Sequence, residues 1–465
     1  MAGISSAGIG SGLDVNSIVT QLMAIERQPL KALQTKQTTI QTTVSEYGKV
    51  KSAISTLRDA ASKLASSSLW GQTVSTSSNA AAVTATTNGS LAGSYSVAVQ
   101  SLASAQTVAT GVYPTTTTTP GSGVLHIDLG AWGAGQTSFT GKSPAVSADI
   151  TVAATDTLSD VRDKINAAGI GVTALIMTDA SGSRLLMRSS TTGAANGFRT
   201  SGIAGLDYDP SAGAAGMTQT QAAADAKATV NGLPVTSTTN NFVNIVDGLS
   251  LTLNAVTTAP VNVDISADKD NIKKALTAFA DAYTAVTKLI TADTKFDPVT
   301  KKGGPLLADS AVSAIQTQLR SLVGATSGAS TVFTRLSDVG LQLQTDGSMT
   351  VNATKLDSAL VNLPELKKAF SNSDVLAPAN DGFGKKFRVL NDTYLSADGS
   401  LASRTDGLST QLTRNQKSQD DLNVRLAGIE KRMRAQYNAL DARMAQITSS
   451  SSLVSQQIAA YNRSG

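Results

Sequence analysis

The sequence predicts a multidomain α and β protein: an antiparallel helical, coiled-coil-like bundle made from both chain ends, a helical core domain, and nested β-rich domains inserted between them. Three observations predict it. Apolar residues recur three or four positions apart near both ends of the 465-residue chain, the spacing that lines one face of a helix. From about Thr73 the period falls to two and Ser, Thr and Gly dominate, as a sheet requires. After about Asp268 the helical spacing returns.

The chain opens MAGISSAGIGSGLDVNSIVTQLM, and GIGSG invites a phosphate-loop reading. Such a loop needs a strand before it, and only seven residues precede Gly8; the Lys-Ser/Thr pair of a Walker loop is also missing. The stretch reads instead as a glycine-rich lead into a helix capped by Asp14 and kinked or broken at Pro29. From Ile18 a seam runs through Leu33, Ile40, Val44, Tyr47, Val50, Ile54, Leu57 and Leu64; the two steps of three at Val44, Tyr47 and Val50 form a stammer.

In SYSVAVQSL, Tyr95, Val97 and Val99 face one way and Ser96 and Ala98 the other, as in a half-buried strand. Asn88-Gly89 carries a hairpin signal, and VYPTTTTTPGSG marks the loop where an inserted unit starts. TLSDVRDKINAAG predicts a helix capped by Thr157 or Ser159, with Val161 and Ile165 inward and Gly169 ending it. ATVNGLPV and VNIVDGLSLTLN read as hairpin strands returning to the first β unit.

Ile272, Leu276, Phe279, Tyr283, Val286 and Ile290 then form a third helical seam, followed by a hairpin at Thr345-Asp346-Gly347 and a further helix. The last seam runs Leu408, Leu412, Leu422, Leu426, Ile429, Met433, Tyr437, with Asn415 and Gln419 on core-type positions, where polar side chains cost stability but fix register. The expected division is an N-terminal leg, 1–40; a helix-rich core, 41–72 and 267–425; a β-rich domain, 73–110 and 223–266; an outer α/β domain, 111–222; and a C-terminal leg, 426–465.

Composition narrows the function. With 41% apolar but only 4% aromatic residues, the cores must rest on Leu, Ile, Val and Ala. A net charge of +4, with both signs interspersed, gives no nucleic-acid footprint. The absence of Cys removes disulfides and thiol chemistry, and the single histidine, His126, sits in the alternating run VLHIDLG as an exposed or satisfied side chain. No run of 18 apolar residues exists to cross a membrane, and no apolar stretch precedes the first basic residue, Arg27, so no cleaved secretory signal is expected.

The acidic pairs Asp207 with Asp209 and Asp420 with Asp421 lack a calcium-loop pattern and read as surface charge. KKGG reads as a loop before a helix capped by Asp309 or Ser310. The expectation is no enzyme, no cofactor and no metal site. What remains is apolar stripe at the two ends, sparse before Ile40 and beyond Ile447, which orders only when another surface covers it. That predicts a self-assembling structural protein.

IGSGLDVNSIVTQLMAIERQPL, GSYSVAVQSLASAQ, VNGLPV with NIVDGLSLTLN, and VGLQLQTDGSMTVNATKLDSAL together resemble the flagellar filament capping protein (hook-associated protein 2) family over nearly the full chain. DTLSDVRDKINAAGIGVTALIMTDASGSRLLMRSSTTGAANGF resembles the motif that flagellins and hook-associated proteins share in their inserted domains. The resemblance implies a homo-oligomeric ring of about four to six copies at the distal tip of the bacterial flagellum, outside the cell. It implies flagellin folding beneath the ring, contact with hook-filament junction proteins, leaderless export through the flagellar type III route with an export chaperone, and a secondary adhesive role. The assembly positions that it implies are Ile9, Leu13, Ile18, Leu22 and Ile25 in the leading leg and Leu440, Met444, Ile447, Leu453 and Ile458 in the trailing one.

Overall fold

The structure is a computed structural model that describes residues 14–89 and 91–462. The chain divides into two compact units, one discontinuous in sequence (up to Leu69 and again from Lys269) and one spanning Trp70–Asp268.

The first unit is helical. Asp14 caps the leading helix, Val15–Glu26, by accepting a hydrogen bond from the Ser17 amide at 2.9 Å, which satisfies one of the donors a helix start leaves open. The chain turns at Arg27, and the long helix, Gln28–Ala65, begins with Pro29 in its first turn, where the missing amide costs nothing. The long helix buries Ile40, Tyr47, Val50, Ile54, Leu57, Ala61 and Leu64, the expected seam.

Against it packs the helix Lys269–Thr294 with Ile272, Phe279, Tyr283, Val286 and Ile290 inward. The helix Phe383–Leu395 adds Phe387, whose ring stands edge-on to Phe279 at 4.9 Å. Gly384 lets this helix come close: a Cβ there would meet the Ala65 amide nitrogen at 2.8 Å and the Ala61 carbonyl at 3.0 Å. The C-terminal helix, Ser400–Tyr461, is one unbroken element of 62 residues, so the expected division at 425/426 falls inside a single helix.

A buried polar tie joins three of these elements. Asp309 caps the helix Ser310–Gly324 through the amides of Ala311 and Val312 at 3.0 and 3.4 Å, and Arg404 of the C-terminal helix donates to it at 3.2 Å. Burial pushes the Asp309 carboxyl upward, but Tyr47, the two amides and Arg404 outweigh it and hold its pKa below the usual range. Burial, with the adjacent carboxylate, drives the Tyr47 phenol well above its ordinary value.

The second unit has two cores. In the first, a five-stranded antiparallel sheet runs in the order Thr73–Ser77, Val261–Ala267, Gly93–Ser101, Ala226–Val230, Leu233–Ser237. It shares one apolar cluster with a three-stranded sheet of Asn241–Val246, Leu249–Leu253 and Val83–Thr87. Alternation does the work: Val261, Val263 and Ile265 are buried while Asn262 and Asp264 face out. The expected ATVNGLPV hairpin is present, turning at Asn231 and Gly232, both with positive φ (50° and 82°).

The Asn88-Gly89 turn exists, with Gly89 at φ 74°, but it is not a hairpin. Val83–Thr87 pairs with Leu249–Leu253 in one sheet, and Gly93–Ser101 pairs with Val261–Ala267 and Ala226–Val230 in the other.

The second core holds the strand Gly123–Trp132, flanked by Gly197–Ser201 on one side and Ser147–Val152 on the other, together with a four-stranded sheet and the helix Leu158–Ala168. That helix starts at a Thr157/Asp160 capping box and ends at Gly169 in the left-handed region, as its sequence dictates. Thr107–Thr110 pairs with Gly182–Ser189 and Met217–Gln221, so it belongs to this core. The handover between cores therefore lies at the Ser104–Ala224 bridge, some residues before the expected 110/111 boundary.

Candidate assembly surface

The two chain ends meet in an antiparallel helix pair. The leading helix turns Val15, Val19 and Met23 onto the C-terminal helix, where they form one cluster with Leu426, flanked by Leu30, Leu422, Ile429, Met433 and Tyr437. Spacing of four per step puts the three on one stripe, and covering each contributes about 1.5 to 3 kcal/mol. Polar ties run along the edge: Arg434 Nη1 donates to Asn16 Oδ1 at 2.9 Å, and Arg27 and Arg434 both reach Glu430, at 3.5 and 2.9 Å. These pairs are solvent-exposed and add little stability, but the two that cross between the helices, Arg434 to Asn16 and Arg27 to Glu430, mark the antiparallel register.

This placement corrects one expectation. The leading leg was expected to find no apolar partner within a single subunit, yet Val15, Val19 and Met23 find one. The signal was legible as the run 15, 19, 23 directly after the Asp14 cap, whereas Ile18, Leu22 and Ile25 follow a neighbouring stripe. Of those three, Ile18 and Leu22 are half-buried and Ile25 is 63% exposed. Ile9 and Leu13 lie outside the described residues.

Beyond Tyr437 the C-terminal helix continues with its apolar positions uncovered. Leu440, Met444, Ile447, Leu453 and Ile458 are exposed by 46, 38, 62, 59 and 56%, with Val454 at 54% beside them. The steps from 440 to 444 to 447 continue the spacing that Leu422, Leu426, Ile429 and Met433 use against the leading helix, so one track is covered over its first half and open over its second.

The second unit carries the one histidine, on the solvent face of its central strand. His126 Nδ1 lies 2.5 Å from Asp149 and Nε2 3.0 Å from Asp128. Asp128 also accepts from Arg199 Nε at 3.0 Å, and Arg199 reaches Asp209 at 3.3 Å. The result is a ladder of alternating charge across four strands. The hydrogen bond to Asp149 foremost, with Asp128, raises the His126 pKa above its ordinary value and outweighs burial, which acts to lower it. Each imidazole nitrogen already has a carboxylate, as expected of a satisfied histidine. Among the described residues no group of three or more acidic, histidine or cysteine side chains is placed to hold a metal, and no helix is long and apolar enough to cross a membrane.

Comparison with known proteins adds three matches to family models: the flagellar hook-associated protein 2 N-terminus over residues 11–106, its C-terminus over 223–449, and the flagellin hook IN motif over 137–191. The flagellar hook-associated protein 2 of Escherichia coli K12 is 32% identical over 482 residues, covering 98% of both chains. The B-type flagellar hook-associated protein 2 of Pseudomonas aeruginosa is 31% identical, covering 96% of each. Among solved structures, the D1-D2-D3 domains of the flagellar cap protein FliD from Escherichia coli superpose with a TM-score of 0.59 at 29% identity, covering 78% of this chain and 99% of that one.

Proposed function

Since the chain belongs to the flagellar hook-associated protein 2 family, we propose that it caps the distal end of a bacterial flagellar filament as an oligomer and that the open half of the C-terminal helix is a surface through which it engages its neighbours. The observation that carries this reading is the uncovered track of Leu440, Met444, Ile447, Leu453 and Ile458. Half-exposed aliphatic side chains repeated along five turns gain on the order of 1 kcal/mol each when a partner covers them. A solvated helix would carry polar residues there instead.

The same reading gives the leading leg a double role. Val15, Val19 and Met23 hold it on its own subunit, and Ile18, Leu22 and Ile25 remain for a second contact, with Ile9 and Leu13 ahead of them. A ring of about four to six copies, flagellin folded and inserted beneath it, contact with hook-filament junction proteins, delivery by the type III route with a chaperone, and adhesion by the outer domain complete the proposal.

Replacing Leu440, Met444 and Ile447 together by Ser tests it. The expected result is a subunit with unchanged helical content and thermal transition that sediments as a monomer and does not restore swimming to a strain lacking the gene. Wild-type oligomers and normal motility from this variant would overturn the assignment of the track.

A further inference from the structure

The seam between the long helix and the C-terminal helix changes character midway. On the C-terminal helix the buried residues run Leu408, Asn415, Gln419, Leu426, so the two positions between the flanking leucines are amides, at 5 and 6% exposure. They form a belt with the long helix. Gln419 Nε2 donates to Gln37 Oε1 at 2.9 Å and to Asn415 Oδ1 at 2.6 Å, and Gln37 Nε2 donates to Gln416 Oε1 at 3.1 Å. Asn415 Nδ2 is buried and finds no hydrogen-bond partner among the described residues.

On one side of the belt lie Ile40 and the aromatic and aliphatic core of the helical unit. On the other lies the separate cluster of Val15, Val19, Met23 and Leu426.

We propose that this amide belt is a built-in release point, at which the leading helix and the adjoining start of the long helix part from the C-terminal helix as one unit while the rest of the helical domain stays folded. Two physical facts support it. An apolar seam propagates cooperativity because each side chain's burial depends on the next; a polar layer with an unpaired amide interrupts that dependence and lowers local stability. The same layer penalises every wrong register, since slipping the helices breaks both bonds that Gln37 makes across the seam, to Gln419 and to Gln416, so the pair that opens here closes again as it was. The belt thus makes the leg separable and still unique in its seating. The inference goes beyond the capping role and is tested on the isolated subunit, so its failure leaves that role standing.

Hydrogen exchange on the full chain at dilute concentration decides it. In the wild-type protein the amides of 16–36 and 420–437 should exchange together and at least roughly tenfold faster than those of 47–64 and 272–290. Replacing both amides, Asn415→Leu with Gln419→Leu, should slow the leg's exchange by roughly tenfold or more and leave 272–290 unchanged. Leu426→Ala, which keeps the belt, should speed the leg alone and serves if the double variant does not fold. Equal protection on both sides of the belt in the wild-type chain, or leg exchange that neither variant moves, overturns the proposal.

Discussion

Tyr283 shows how much a single buried polar atom decides. Its ring is fully buried against Phe387, and its hydroxyl has no hydrogen-bond partner among the described residues. Burial pushes its pKa up to about 12. An unpaired buried hydroxyl carries a desolvation cost with no return, so Tyr283→Phe should raise unfolding free energy by about 1 kcal/mol, read from urea denaturation. His126 gives a cleaner electrostatic test because it is the only histidine. Its folded pKa lies above 6.5, so its contribution is fully present below pH 6.5 and is lost as pH rises through the folded value. In an NMR titration the single imidazole should titrate above the ordinary value, and Asp149→Asn should bring it down. A wild-type value at or below 6.5 would contradict the ladder.

At the scale of elements, the strand Val172–Asp179 ends its sheet, and Leu175 and Met177 beside that edge are about half exposed. An open edge of this kind recruits other strands. Here Asn166, from the preceding helix, accepts from the Ala174 amide at 2.7 Å and donates to the Ala174 carbonyl at 2.9 Å, occupying the edge as a neighbouring strand would. Asn166→Ala should leave the fold intact but produce concentration-dependent association through that open edge, seen by light scattering of the full chain as species larger than wild type.

Legibility also divides at this scale. Caps and turns were readable because their chemistry is local: Asp14, the Thr157/Asp160 box, Gly169 and Asn231-Gly232 all act within a few residues. Sheet membership was not, because it depends on distant partners. Asn88-Gly89 turns the chain as its sequence demands, but Leu249–Leu253 and Val261–Ala267 decide that the flanking strands part. The leading helix is similar: two neighbouring apolar stripes compete, and only the C-terminal helix selects Val15, Val19 and Met23 over Ile18, Leu22 and Ile25. Asn415 and Gln419 were visible as polar residues on core positions; Gln37 was hidden in the seven-residue step from Leu33 to Ile40.

Over the whole molecule, the helical unit is built from two segments separated in sequence by Trp70–Asp268. The long helix, Gln28–Ala65, meets its partners only when Lys269–Thr294, Phe383–Leu395 and finally Ser400–Tyr461 are available. The inserted unit has all its strands in one continuous stretch. A chain threaded out from its first residue therefore finishes its middle before its beginning: the β-rich portion matures early, and the long helix waits, its greasy side bare, for about the last seventh of the polypeptide to arrive and close the loop.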